Sequence, residues 1–440
     1  MRKTMQIAAA GTLSLMLAAS LGSTAAAEGP ELEAEAAILV DADTGKIVYK
    51  ENADTILPPA SMTKIMTEYL VHEAVEEGEI AWEDEVPISD NVRSLSLATN
   101  LSNVPLRQDE TYTVQELYEA LAIYSANAAT VALAEKISGS EADFVAEMNE
   151  KAGELGMEEY EFVNSSGLNN SSMQGQHPDG TDEDAENMMS ARATALLSYH
   201  LLDEHPDVLE TASIEEAYFK EGTEDEIFME NWNEMLPDGR HAYEGVDGLK
   251  TGYTSLAGNA FTGTAERGGQ RFISVVMRTE SRDARFEQTS SLLDYGFDNY
   301  AETEVLEAGY TPDEEVLPVT RGEEDEVSIA TEESVEVMAH EDEIEAYEPS
   351  FTVDESLLND DGELTAPIEE GQTIGYVTVS NTGEADDGYL REDMAEHKRV
   401  PVKTTESVEE AGWFSLTMRS IGGFFSGVWN SATEIVRSWF

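Results

Sequence analysis

The order of strand-like and helix-like segments constrains this chain most. Strand patterns stand at both ends of its first three hundred residues, and helical patterns fill the interval. The stretch AAILVDADTGKIVYKEN, from Ala36, alternates around Asp43-Thr44-Gly45 and reads as a hairpin. GNAFTGTAERGGQRFISVVMRT, from Gly258, reads as two more strands joined by Gly268-Gly269. Between them, helical spacing covers Ser61 to Glu77, Val114 to Ile137 and Glu141 to Leu155. In the first of these, Ile65, Tyr69, His72 and Val75 share one face, and FEQTSSLLDYGFDNY closes the unit as a helix. Strands first and last, with helices between, predict an antiparallel sheet flanked by helices in an α/β (α+β) sandwich.

From Thr311 to Thr404 the texture changes to short alternating runs, among them VSIATE, VEVMAH, TIGYVTVS and RVPVKT. These predict a small all-β second domain. The last residues change again. Phe414, Met418, Ile421, Phe425, Val428, Ala432, Ile435 and Trp439 recur at steps of four and three, opposite a polar face. Three of the five tryptophans lie here, so an amphipathic helix in a membrane surface is expected. At the other end, Arg2-Lys3, an apolar run and Ala25-Ala26-Ala27 have the order of a secretory leader. The expected division is a leader at 1–27, a catalytic unit at 28–303, a β-rich domain at 304–408 and an anchor at 409–440.

Composition narrows the function. The 91 acidic residues outnumber 25 basic ones, for a formal charge of −66, and they are spread along the whole chain. Such a field repels nucleic acid and suits a strongly hydrated surface in a salty setting. There is no cysteine, which removes disulfides and thiolate chemistry. The seven histidines form no HExxH or similar spacing, so no metal or other cofactor is expected.

Against this background a lysine inside an apolar run stands out. PPASMTKIMT, residues 58–67, places Ser61 and Lys64 three apart, on one helical face just after two prolines. Lys64 alone among the ten lysines has a serine three positions back. Desolvation would lower its pKa, and a neutral amine beside a hydroxyl is a base and nucleophile pair. Two further motifs follow: Ser125-Ala126-Asn127 between helical stretches, and Lys250-Thr251-Gly252 at the entry to a probable edge strand. Ser-x-x-Lys, Ser-x-Asn and Lys-Thr-Gly in that order are the signature of penicillin-recognising serine enzymes.

With these motifs the chain resembles the low-molecular-weight penicillin-binding proteins, serine D-alanyl-D-alanine carboxypeptidases, and among them the penicillin-binding protein five type of Bacillus relatives. ILVDADTGKIVY, FVNSSGLNN, NWNEML, FTGTAERGG, LLDYGFDNY and LTMRSIGGFFSGVW carry the likeness beyond the motifs. The resemblance implies the penicillin-binding/β-lactamase-like transpeptidase fold and an exported enzyme on the outer face of the cytoplasmic membrane. It implies removal of the terminal D-alanine from peptidoglycan stem pentapeptides through an acyl-enzyme, with β-lactam antibiotics as covalent inhibitors. In that scheme Ser61 is the nucleophile, Lys64 its base and Ser125 a proton relay. Asn127 orients the substrate amide and Lys64. Lys250, Thr251 and Arg285 receive the terminal carboxylate, Gly252 leaves room along the strand, and the N–H groups of Ser61 and Tyr253 form the oxyanion hole. An endopeptidase would use the same machinery, and a silent wall-binding protein could retain it. A class A β-lactamase would need a deacylating glutamate; the nearest candidate, Glu183, lacks the surrounding pattern. His177 reads as a loop histidine.

Overall fold

The computed structural model describes residues 29–312, 316–383, 387–397 and 399–412. The expected leader and the apolar stripe from Trp413 onward lie outside the described residues. Residues 409–411, grouped with that stripe from sequence, instead run beside residues 321–323: Ala411 N–H donates to Arg321 O and Glu323 N–H to Glu409 O.

The two ends of the first unit meet in one sheet. Its strands are β1 (Ala36–Asp41), β2 (Ile47–Glu51), β3 (Val246–Thr254), β4 (Gly258–Arg267) and β5 (Gln270–Thr279). Their order is β2-β1-β5-β4-β3, antiparallel throughout, which puts β3 at an edge. The β4–β5 turn needs two residues with positive φ, and Gly268 and Gly269 supply them at 64° and 90°. Alternation sends Ile38, Val40, Val275 and Met277 into the core beneath the helical layer. Leu39, Phe272 and Val276 go to the opposite face, against Phe286, Leu292 and Leu293.

The longer helices are α1 (Lys64–Glu76), α2 (Val114–Ala122), α3 (Asn127–Ser138), α4 (Glu141–Glu154), α5 (Ala191–Glu204) and α6 (Arg282–Asn299), with shorter ones at Asp90–Ser96 and Val208–Ala212. The single apolar face expected for α1 understates it: every residue from Lys64 to His72 is buried, so α1 is a central helix. The helix expected over 114–137 is two helices. Ser125, with φ of 57°, breaks it between α2 and α3.

The β-rich domain has its own core, including Val327, Ile329, Val337, Ile374, Val377 and Val402. Its six-stranded sheet runs Tyr347–Val353, Thr373–Asn381, Arg399–Thr404, Glu326–Thr331, Val316–Thr320, Leu364–Thr365. Lys46, buried at the junction of the domains, donates to Glu343 Oε2 at 2.8 Å and to Tyr347 OH at 2.6 Å.

Candidate active site

Pro58 and Pro59 lead into Ala60, whose φ of 49° is rare for a residue with a side chain. The chain then enters a 3₁₀ turn, Ala60–Thr63, that continues into α1. Ser61 stands half-buried near the start of that run. Two glycines make the turn possible by letting its carbonyls approach. A Cβ on Gly167 would lie 1.9 Å from Ala60 O, and one on Gly252 would lie 2.6 Å from Pro59 O. Gly252 therefore lets β3 seat against the turn that carries Ser61, a packing role that the sequence reading, which gave it to substrate clearance, did not include.

Lys64 is fully buried, and its Nζ donates to Ser61 Oγ at 3.2 Å, Asn127 Oδ1 at 2.8 Å and Ser166 O at 2.6 Å. All three partners are uncharged. Burial first, and then the charge of Lys250, hold its pKa well below the usual lysine value; Glu68 opposes them. An amine so placed can be neutral and accept a proton from Ser61. Asn127 opens α3 and is pinned at its other end, where Nδ2 donates to Ser102 O at 2.9 Å. Ser125 Oγ is buried and without a hydrogen-bond partner among the described residues.

Lys250, Thr251 and Gly252 are the fifth to seventh residues of β3, not its entry. The strand starts earlier because Val246 and Leu249 are buried in the core. Lys250 is only 2% exposed; burial lowers its pKa and Arg285 adds to that, while Glu68 raises it. Arg285 reaches across from α6, and its Nη1 donates to Gly252 O at 3.3 Å and Ala260 O at 3.4 Å. Burial and then Arg282 push its pKa down to about 10. Tyr253 is 65% exposed, so its ring stands at the edge of the cleft.

The cleft encloses about 570 Å³, and Ser61, Ser125, Asn127, Thr251, Gly252, Tyr253 and Arg285 all line it. Lys64 and Lys250 are buried beside these residues, so two lysines lie beneath the lining of the cleft. Sequence reasoning missed the rest of the wall. Trp232 donates from Nε1 to Tyr124 O at 3.0 Å, and the Arg282 guanidinium lies 4.6 Å over its ring. Trp232 falls inside NWNEML, so the signal was a half-buried tryptophan among polar neighbours. It also missed Ser166 and Ser102, whose backbone carbonyls fix Lys64 and Asn127 and leave no trace in side-chain chemistry.

The residues set aside stay outside the cleft lining. His177 bonds Thr181 Oγ1 through Nδ1 at 3.1 Å, and Glu183 is exposed. Among the described residues folding does gather one potential ligand cluster that spacing concealed: Glu234, His241 and Asp283 offer atoms within 4.8 Å of one another. Arg240 already donates to both of its carboxylates.

Residues 23–281 match the family described as D-alanyl-D-alanine carboxypeptidase, and residues 300–410 match the penicillin-binding protein 5, C-terminal domain. D-alanyl-D-alanine carboxypeptidase DacF of Bacillus subtilis is 32% identical over 390 residues, covering 89% of this chain and 90% of DacF. A peptidoglycan synthesis regulatory factor (PBP3) from Streptococcus pneumoniae superposes with a TM-score of 0.70 at 34% identity, over 86% of this chain and all of that one. Penicillin-binding protein D2 from Listeria monocytogenes, in its ampicillin-bound form, superposes with a TM-score of 0.51 at 35% identity. That match covers 61% of this chain and 99% of the Listeria chain.

Proposed function

This chain belongs to the D-alanyl-D-alanine carboxypeptidase family of low-molecular-weight penicillin-binding proteins, and from that premise we propose how its residues divide the work. It is a serine-type carboxypeptidase of cell-wall maturation that removes the terminal D-alanine from peptidoglycan stem peptides. The observation that carries the assignment of roles is Lys64 Nζ at 3.2 Å from Ser61 Oγ, with only neutral partners.

Ser61 Oγ attacks the carbonyl carbon of the penultimate D-alanine while its proton passes to Lys64 Nζ. The N–H groups of Ser61 and Tyr253 receive the developing oxyanion. As the tetrahedral intermediate collapses, the C–N bond breaks. Ser125 Oγ, without a hydrogen-bond partner among the described residues, passes a proton to the departing D-alanine amine and regains one from Lys64 Nζ, which is neutral again. Water then gives a proton to Lys64 Nζ as it attacks the Ser61 ester carbonyl; the acyl–Oγ bond breaks, Ser61 Oγ takes the proton back from Lys64, and the shortened peptide leaves as a carboxylic acid. Lys250, Thr251 and Arg285 bind the terminal carboxylate, and Asn127 holds the substrate amide. A β-lactam enters the same cleft and stops at the ester.

The leader at 1–27 directs export, and the stripe in Trp413–Phe440 attaches the enzyme to the outer face of the membrane. Its three tryptophans and single acidic residue, Glu434, support that reading. One experiment tests both parts: labelling by fluorescent penicillin of the full chain, of a chain lacking Trp413–Phe440, and of each with Ser61→Ala. We expect label in the membrane fraction for the first, in the soluble fraction for the second, and none for either Ser61→Ala protein. Label on a Ser61→Ala chain would assign the nucleophile elsewhere, and a truncated chain that stays on membranes would remove the anchor.

A further inference from the structure

Glu68 follows Lys64 by four residues, so the two share a face of α1 one turn apart. Its side chain is 2% exposed, and Oε1 has no hydrogen-bond partner among the described residues. A buried carboxylate left without a donor is costly, so its retention needs a compensating interaction. Both lysines of the site are placed to supply one: Lys64 lies one turn back on the same buried helix face, and Lys250 is buried on β3, which packs against α1, and each favours the charged form of Glu68.

The other titratable neighbours add no positive charge. Tyr118 of α2 faces Glu68, and burial keeps its hydroxyl protonated. Tyr118 OH meets His72 Nε2 at 2.8 Å, on the next turn of α1. Burial lowers the pKa of His72, although Asp207 opposes this and His205 adds to it. Arg285 is the exception, a cation near Lys250 that disfavours the charge of that lysine.

The site thus has to keep Lys64 neutral and Lys250 cationic although both are buried, with Arg285 working against the second. We propose that Glu68 is a positioning residue that provides the counter-charge, holding Lys250 in its protonated, carboxylate-binding form while Lys64 remains the neutral base. This rests on the roles given above to Ser61, Lys64 and Lys250. Burial raises the Glu68 pKa and the lysines lower it, so its charge is complete on the alkaline side of its titration. There the counter-charge matters most.

The sign of the effect follows. Removing the carboxylate lowers the proton affinity of both lysines. Lys64 becomes neutral at lower pH, and Lys250 loses its charge at lower pH. Both limbs of a bell-shaped rate profile therefore move toward acid, and binding of the terminal carboxylate weakens on the alkaline side.

The test uses the full chain with Glu68→Gln and Glu68→Met, both neutral, and Glu68→Asp, which keeps the charge. The pH profile of acylation by benzylpenicillin would be recorded, together with kcat and KM for a peptide ending in D-Ala-D-Ala. For the neutral variants we expect the alkaline limb about one pH unit lower and KM near pH 8 about tenfold higher, with a smaller change in kcat. Glu68→Asp should recover more than half of that shift. Two neutral variants matters because one may not fold, and either suffices. Limbs that stay in place, whatever happens to the melting temperature, would make Glu68 a structural residue and overturn the proposal. Ser61→Ala separates the two levels: label persisting there defeats the site assignment itself, whereas Ser61-dependent label with unmoved limbs defeats only the role of Glu68.

Discussion

A lysine can act as a base near neutral pH only where its charged form is penalised, and Lys64 meets that condition through burial and a second cation. The same reasoning predicts the pH dependence. On the roles proposed above, Lys64 must be neutral and Lys250 protonated, and burial lowers the pKa of each. Acylation should therefore rise as pH climbs through the Lys64 titration and fall as it passes through that of Lys250, both below the ordinary lysine range. A stopped-flow profile with benzylpenicillin checks this, and a rate that only begins to rise near pH 10, about the pKa of a free lysine, would contradict it. Ser61 and Lys64 were legible because their chemistry lies in side chains at helical spacing. Glu68, four residues on, was equally visible as a letter. Its meaning depended on burial, which the one-sided pattern expected for α1 did not convey.

Elements position those groups by close approach of backbone. The turn at Ala60 sits between Gly167 and Gly252 of the edge strand β3, and both approach its backbone too closely to carry a side chain. In Gly252→Ala a methyl would be driven against Pro59 O. We expect a loss of about 1–3 kcal/mol in stability, the usual cost of overpacking. Acylation should fall by about tenfold to a hundredfold, because displacement of the nucleophile by an ångström has effects of that size. Thermal unfolding and penicillin acylation of the same preparation measure both; wild-type acylation would show that the turn does not depend on this contact. The sequence showed the order of strands and helices, since alternation and helical spacing are local signals. At Ser125 it offered two readings, a helical pattern from Val114 through Ile137 and a motif between helical stretches, and the left-handed backbone there decides for the second. It did not show that Lys-Thr-Gly lies well inside its strand, which required knowing that Val246 and Leu249 pack in the core.

At the scale of the whole molecule, the catalytic unit and the β-rich domain are joined through Lys46, with Glu343 and Tyr347 from the second domain. The net effect of these partners, against burial, is a raised Lys46 pKa. That contribution to stability is complete below about pH 10, the ordinary lysine range, and is lost as pH rises through the higher folded value. The charge of −66 acts over longer distances. Screening shortens its reach from about 10 Å at 0.1 M salt to about 3 Å at 1 M. We propose that the enzyme is adapted to a salty setting, and the melting temperature should rise by several degrees from low to molar NaCl. A flat melting temperature would contradict that adaptation.

The central claim is that this cleft hydrolyses a D-Ala-D-Ala terminus through Ser61, with Lys64 as base. The most direct measurement is D-alanine released from a stem pentapeptide ending in D-Ala-D-Ala by the purified chain, with Ser61→Ala and Lys64→Ala beside it. The account predicts turnover by the wild type and none above background by either variant. Penicillin binding without any release of D-alanine, or release that survives Ser61→Ala, would contradict it.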